Sequence, residues 1–264
     1  MTFIHNISPE LISFGPFTIR WYGLLFVVGF ILSALVAYWL FKREQKDLRH
    51  LESIALYLLI GMIVGARLGH IVFYNLSYYL QNPAEIIMIW HGGLASHGAA
   101  IGVFIAYLIW TKVYKIKFTE YADFLAIGMP ITAAFVRIGN FFNSEIIGKP
   151  TDGSWGVIFV RLSENFFRYP TQIFESLLSF LIFIILILIY LKYYQKLPKL
   201  FLMALFIFLY FITRFMVEFW KERHVLSADF PLSMGQILSI LPVIIAIGIF
   251  VWIFWKRQTK KKSV

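Results

Sequence analysis

Seven long apolar runs constrain this chain more than any other feature. They lie at Ile19–Phe41, Leu51–Tyr74, about Gly92–Thr111, about Thr119–Phe142, Pro170–Leu191, Leu200–Trp220 and Leu232–Trp255. Each has about 20 residues or more, the length a helix needs to cross roughly 30 Å of hydrocarbon. Only helices and closed barrels satisfy their backbone groups there, and long continuous runs select helices. Composition agrees: 60% of residues are hydrophobic, 14% are charged, and the mean hydropathy is +0.76, whereas a soluble domain is nearer half apolar and a quarter charged. The expectation is an all-α integral membrane protein with about seven transmembrane helices. Residues 1–264 read as one polytopic domain, with no repeat and no linker. The longest polar connection, Asn143–Tyr169, reads as a small extracytoplasmic head between helices four and five. Met1–Thr18 reads as an interfacial segment without the basic start of a cleavable signal peptide.

The basic residues orient these spans. Lys42, Arg43, Lys46 and Arg49 follow the first run; Lys112, Lys115 and Lys117 follow the third. Lys192, Lys196 and Lys199 follow the fifth, and Lys256, Arg257, Lys260, Lys261 and Lys262 form the tail. Together they are 15 of the 24 lysines and arginines, and with seven spans all fall on one side. That side is expected to be cytoplasmic, with the N-terminus outside. Most of the net charge of +10 is therefore topology, and nucleic acid is not a partner. The chain has no cysteine, so it has neither disulfides nor a thiolate metal site.

Charged groups are costly in hydrocarbon and tend to mark function. On this topology Tyr22, Arg67, His70, His97, Arg137, Asn140, Arg214 and Glu218 all fall in the outer half of the membrane. Arg137–Gly148 is the densest stretch: Arg-Ile-Gly-Asn-Phe-Phe-Asn-Ser-Glu-Ile-Ile-Gly, with Glu145 as its carboxylate and Gly139 and Gly148 as its glycines. Arg67, Arg137 and Arg214 present guanidinium forks suited to phosphate oxygens, and a lipid headgroup is the phosphate at that depth. His97 is the side chain most easily tuned to accept a proton. Simpler readings stand beside these. Arg214 and Glu218, at i and i+4, could neutralise each other; His97 could be an interhelical histidine; and Gly61-x-x-x-Gly65 reads as helix packing. Arg161, Arg168, Asp152 and Glu164 could be a solvated head surface. His91 and His97 are a weak metal signal, and neither metal nor cofactor is expected.

With these residues in place, the chain resembles the bacterial prolipoprotein diacylglyceryl transferases over nearly its whole length. The family's central motif, Arg-x-Gly-Asn-Phe-x-Asn-x-Glu-x-x-Gly, is complete at Arg137–Gly148. Ile19–Gly23, Gly65–Gly69, Gly92-Gly93 with Ser96–Gly98, Arg214-x-x-x-Glu218-Phe219 and Ser233–Gln236 match as well. Two positions depart. Val136 stands where the family commonly has glycine, and Tyr169-Pro170-Thr171-Gln172 replaces His-Pro-Ser-Gln, removing one candidate histidine.

The resemblance implies transfer of the diacylglyceryl group of phosphatidylglycerol to the thiol of the lipobox cysteine in a prolipoprotein signal peptide. A thioether forms, glycerol-1-phosphate leaves, and the step opens lipoprotein maturation. It also implies the bacterial cytoplasmic (inner) membrane, with the site towards the outer leaflet. On this reading Arg137 binds the donor phosphate and Asn140 orients the headgroup. Arg214, held by Glu218, serves the leaving phosphate or the thiolate, and His97 is the candidate base. Tyr22 joins His97, Arg214 and Glu218 in the catalytic group as a supporting polar contact, and Glu145, Gly148 and Arg67 join Arg137 and Asn140 in binding substrate. Two other classes share the intramembrane arginines: a transporter of an anionic substrate, which often has inverted repeats and a midplane site, and another phospholipid-headgroup enzyme, which needs a nucleophile or metal cluster.

Overall fold

The structure is a computed structural model and describes residues 2–15, 17–222 and 231–262. Residues 223–230 of the connection read as a loop, Pro16 of the N-terminal segment, and Ser263 and Val264 of the tail lie outside the described residues. Short strands come first: β1 (Thr2–His5), β2 (Glu10–Phe14) and β3 (Phe17–Arg20). The helices are α1 (Trp21–Arg43), α2 (Leu48–Tyr74), a short α3 (Leu76–Gln81), α4 (Ser96–Val113), α5 (Ala122–Phe142), α6 (Thr171–Tyr193), α7 (Phe201–Val217) and α8 (Met234–Lys262), with β4 (Gly156–Phe159) between α5 and α6. Among the described residues, seven helices, all but α3, are long and apolar enough to cross a membrane.

Several boundaries differ from the sequence reading for local reasons. The third span begins at Ser96 because Gly92 and Gly93 have φ of 86° and 75°, a left-handed backbone that a helix cannot contain. The second begins at Leu48 because the Asp47 side chain accepts from the Arg49 amide at 2.9 Å, the N-cap bond that starts a helix. The N-terminal segment is built from strands.

The chain divides into two compact units, Tyr38–Tyr121 and Met1–Ala37 with Ala122–Val264. In the smaller unit α2 packs along α4 through glycine. Gly61, Gly65 and Gly69 meet Gly98 and Gly102 with no side chain between. A Cβ on Gly102 or on Gly98 would lie 2.8 Å from the Cα of Gly65 or Gly69. Backbones can approach this closely only where both partners lack side chains. An apolar groove of about 570 Å³ runs along the pair, lined by Leu56, Ile60, Val64, Ile101, Ile105 and Ile109 among others. Near the ends of these helices the fully buried Trp110 donates to the Ser53 hydroxyl at 2.9 Å, and Lys46 pairs with Glu120 at 2.6 Å.

In the larger unit α5 is the most buried span, and it packs along α6 and α7. Small residues allow this: Ala122, Ala126 and Ala134 have no exposed surface. The Ser33 hydroxyl on α1 donates to the Gly128 carbonyl at 2.7 Å. The Asp123 carboxylate accepts from the amides of Leu200 and Met203, each at 2.8 Å, so an acid on α5 caps the start of α7.

Beyond the helices, β1 pairs in parallel with β4, from Thr2 opposite Gly156 to His5 opposite Phe159. Bridges also join Gly148 to Lys221 and both Pro150 and Val157 to Arg168. Their small core is Ile147, Val157 and Phe159, with Phe141 against it. His5 is fully buried here, its ring 4.6 Å from Phe141 and 5.4 Å from Phe159 between centroids. Neither ring nitrogen has a hydrogen-bond partner among the described residues, and burial holds the imidazole below the ordinary histidine range.

Candidate active site

The Arg137–Gly148 stretch closes α5 and turns back on itself. Arg137 and Asn140 are three residues apart, hence on one face of the helix, and both are buried. Nη1 of Arg137 donates to Oδ1 of Asn140 at 3.3 Å. Nδ2 of Asn140 donates to Oε2 of Glu145, and Nδ2 of Asn143 to Oε1 of the same carboxylate, each at 3.3 Å. Left-handed residues at Ser144 and Ile146 make the turn. The start of α6 then clamps it: Gln172 donates to the Glu145 carbonyl at 2.7 Å and Thr171 to the Ile146 carbonyl at 3.1 Å. Gly148 has to be glycine because a Cβ there would overlap the backbone of Tyr169. Gly139 lets α5 meet Tyr22, whose Cδ2 would stand 2.9 Å from an added Cβ, and the Tyr22 hydroxyl is within electrostatic reach of both Glu145 and Arg137.

From Arg137 a chain of buried charges runs on through the unit. Its Nε lies 3.0 Å from Oε2 of Glu175 on α6. Oε1 of Glu175 takes Nζ of Lys221 at 2.8 Å, and the same ammonium meets Oε1 of Glu218 at 2.9 Å. Ser233 donates to Oε2 of Glu218 at 2.7 Å. Ser233 itself is fixed by Gln236, whose Oε1 accepts from the Ser233 amide at 2.9 Å. Arg214 lines a cavity of about 10 Å³ with Glu175, Tyr210 and Thr213. Such a space admits at most one water. Nε of Arg214 is buried without a hydrogen-bond partner among the described residues. Among the described residues Arg137, Arg214 and Lys221 thus outnumber the two carboxylates of this cluster, Glu175 and Glu218, by one charge.

Glu218 does not hold Arg214 as expected from their spacing; among the described residues no ion pair joins them. The α-helix ends at Val217 and its last turn tightens to a 3-10 helix over Glu218–Trp220. Glu218 itself keeps the helical register, its amide donating to the Arg214 carbonyl, but the turn that follows brings Lys221 back to its carboxylate, which Lys221 and Ser233 occupy. Arg168 is likewise no surface group. It is buried between Glu164 at 2.6 Å and Glu222 at 3.0 Å, and donates to the Gly148 carbonyl at 3.0 Å.

Arg67 and His97 belong to the smaller unit. Arg67 is buried beneath the 83–93 segment and gives its N–H groups to carbonyls there. Nε donates to Ile86 at 3.0 Å, Nη1 to Gly92 and, at 3.1 Å, to Gly93, and Nη2 to Glu85 and, at 3.2 Å, to Met88. Its guanidinium also sits 4.9 Å from the centroid of the Tyr79 ring. Five bonds use all five donors of an arginine, so in this geometry Arg67 shapes a loop and has no fork left for phosphate. Nε2 of His97 and the Tyr74 hydroxyl are hydrogen-bonded at 3.1 Å, and His70 stacks on Tyr74 with centroids 5.4 Å apart. Gly93 approaches His70 and Arg67 so closely that a Cβ would be 2.7 Å and 2.9 Å from them.

A family model described as prolipoprotein diacylglyceryl transferase matches residues 9–252. The chain belongs to the prolipoprotein diacylglyceryl transferase family. Curated relatives run through its whole length. The phosphatidylglycerol–prolipoprotein diacylglyceryl transferase of Tolumonas auensis is 41% identical over 243 residues, covering 91% of this chain and 93% of its own. The protein of that name from Chloroherpeton thalassium is 39% identical over 260 residues, covering 98% and 97%. The one from Bacteroides fragilis is 37% identical over 272 residues, covering 98% and 96%. With seven candidate spans and this membership, the chain is a multi-pass membrane protein.

Within this diacylglyceryl transferase the sequence reading passed over two residues that the structure puts at the centre of the charge chain. Glu175 was submerged in the fifth apolar run, although an acid within a span is itself a signal. Lys221 falls just past the sixth apolar run, and nothing in its neighbourhood on the chain pairs it with an acid 46 residues earlier.

Proposed function

We infer that this chain transfers the diacylglyceryl group from phosphatidylglycerol to prolipoproteins, the first step of lipoprotein maturation and the activity its relatives are named for. In the reaction the cysteine sulfur of the lipobox bonds to the glycerol carbon of the donor. The carbon–oxygen bond to phosphate breaks, glycerol-1-phosphate leaves with that electron pair, and the thiol proton passes to a base.

The observation that carries the site assignment is the cluster around Glu175. Phosphate leaves readily only where its growing charge is met by fixed positive groups in a water-poor site. Arg137, held through Nε by Glu175 and through Nη1 by Asn140, is the donor-phosphate ligand. Arg214, whose buried Nε–H has no acceptor among the described residues, serves the leaving phosphate or the thiolate. Glu218 positions Lys221. Asn140, Glu145 and Gly148 shape the headgroup site, and Tyr22, within electrostatic reach of Glu145 and Arg137, is a supporting polar contact of the catalytic group. His97 is the candidate base, supported by its imidazole chemistry and its bond to Tyr74, and Arg67 acts on substrate through the loop it holds. Residues 1–264 form one polytopic domain of the bacterial cytoplasmic (inner) membrane. Its C-terminus is cytoplasmic, its N-terminus and the 143–169 head are outside, and the site faces the outer leaflet, as the one-sided basic residues support.

Complementation of a bacterium depleted of its own transferase tests this. Wild type rescues growth, and Arg137→Ala does not at equal membrane expression, since loss of one such stabilising group costs about 10²–10³ in rate. Rescue by Arg137→Ala removes the phosphate-binding assignment. Rescue by His97→Gln moves the base elsewhere. Failure of well-expressed wild type, with the host's prolipoproteins shown to be acceptable substrates, overturns the activity.

A further inference from the structure

The β2–β3 hairpin stands directly before α1 and is sided. Its register pairs Glu10 with Arg20, Ile12 with Ile19, Ser13 with Thr18 and Phe14 with Phe17, with an irregularity between Glu10 and Ile12. Successive side chains on a strand alternate between faces. Ile12, Phe14 and Ile19 therefore share one face; Ser13 and Thr18 share the other, their hydroxyls 3.3 Å apart. The apolar face is bare: Ile12, Phe14 and Ile19 are 44%, 65% and 49% exposed. A two-stranded hairpin is at best marginally stable by itself in water and needs something to pack on. Ser13 and Thr18 are exposed as well, so the described protein covers neither face, and only the apolar one gains by being covered.

Its position identifies the cover. The strand β3 ends at Arg20 and the membrane-crossing helix α1 begins at Trp21 without a break. The Trp21 amide donates to the Pro9 carbonyl at 3.0 Å, which ties the base of the hairpin to the helix start, and Trp21 stacks on Phe142 at the end of α5, with centroids 5.0 Å apart. Tryptophan at a span end marks the membrane–water boundary. The strands of four and five residues reach roughly 13–17 Å from that boundary, enough to lie along it. The helix that the hairpin runs into is itself apolar and uncovered, with Leu24, Val27 and Ile31 exposed.

We propose that the β2–β3 hairpin is an interfacial anchor, its Ile12–Phe14–Ile19 face seated in the acyl boundary of the leaflet at the start of α1 and its Ser13–Thr18 face turned to water. Arg20 and Glu10, paired at the base, lie at headgroup depth. This reading does not depend on the transferase assignment.

The absence of native cysteine makes the test direct. Full-length Ile12→Cys, Ser13→Cys, Phe14→Cys, Thr18→Cys and Ile19→Cys variants each carry one nitroxide label and are reconstituted in phosphatidylethanolamine–phosphatidylglycerol vesicles. Collision with oxygen, which concentrates in hydrocarbon, is compared with collision with a water-soluble nickel chelate. The oxygen-to-nickel ratio is expected to alternate, several-fold higher at 12, 14 and 19 than at 13 and 18. Equal nickel access at all five positions overturns the proposal. So does shielding of 12, 14 and 19 from both reagents, which assigns the face to a protein, whether a second copy or a lipobox segment. The five positions are read independently, so one poorly folded variant leaves the alternation measurable in the others.

Discussion

Replacing Glu175 by Gln and Lys221 by Met, singly and together, asks whether the buried charges act as one unit. Glu175 has two cations at 3.0 and 2.8 Å, and Lys221 has two carboxylates at 2.8 and 2.9 Å. The side chains of Arg137, Glu175, Lys221 and Glu218 are 10%, 7%, 5% and 11% exposed. At about 3 Å and an effective dielectric near 20, each contact carries on the order of 5 kcal/mol of attraction, much of it offset by desolvation. Removing one partner of such a buried pair costs about 3–5 kcal/mol because the other is left uncompensated. Each single variant is therefore expected to lower the unfolding free energy by about 4 kcal/mol, roughly a thousandfold in the equilibrium constant, in detergent-titrated unfolding of the purified protein. The two losses should not add. Both singles destroy the Glu175–Lys221 contact, and the double variant loses it only once while also restoring the net charge. The double is expected to fall short of the sum by about 2 kcal/mol, within the range for residues in contact. Additivity to within about 0.5 kcal/mol, or a single variant costing less than about 1 kcal/mol as at a surface pair, would refute the reasoning.

Three further expectations follow from separate parts of the molecule. Asp123→Ala should destabilise by about 1–2 kcal/mol, since the amides of Leu200 and Met203 lose their acceptor, and Asp123→Asn should recover part of that, read in the same unfolding assay. Burial lowers the folded-state pKa of His5 from an ordinary value near 6.5. The full stability is therefore present above about pH 6.5, is lost as pH falls through the lowered folded value, and stops falling below it; His5→Phe should flatten this limb in thermal melts between pH 8 and 5. Gly102→Val should cost about 1–3 kcal/mol or more by forcing α2 and α4 apart, whereas Gly248→Ala, with nothing within 4 Å of the added carbon, should stay within about 0.5 kcal/mol.

What the sequence disclosed depended on the range of the interaction. Seven spans were legible because hydrocarbon demands a continuous apolar run, and the Arg137–Gly148 cluster because its polar groups are adjacent on the chain. Gly61 and Gly65 pointed to close helix packing, but nothing local named Gly98 and Gly102 as their partners. The Arg214–Glu218 spacing was legible and misleading, because the Glu218 carboxylate is taken by Lys221 and Ser233, neither of which the spacing could name. Arg67 looked like an anion ligand because a guanidinium in a span usually needs an anion; carbonyl oxygens from residues 85–93 met that need instead. His5, in a strand whose partner lies more than 150 residues away, carried no signal that it would be buried.

The carbonyls gathered around Arg67 have a consequence of their own. Oxygens of Glu85, Ile86, Met88, Gly92 and Gly93 converge on one guanidinium, and a peptide carbonyl that loses its donor indoors is expensive. If the side chain is cut back to alanine, those five oxygens become a crown-ether-like receptor shaped for a small planar cation. Free guanidinium supplied at low concentration should then take the seat and re-form the loop, while sodium, spherical and without N–H groups, should not. The loop is in effect a host whose guest happens to be covalently attached.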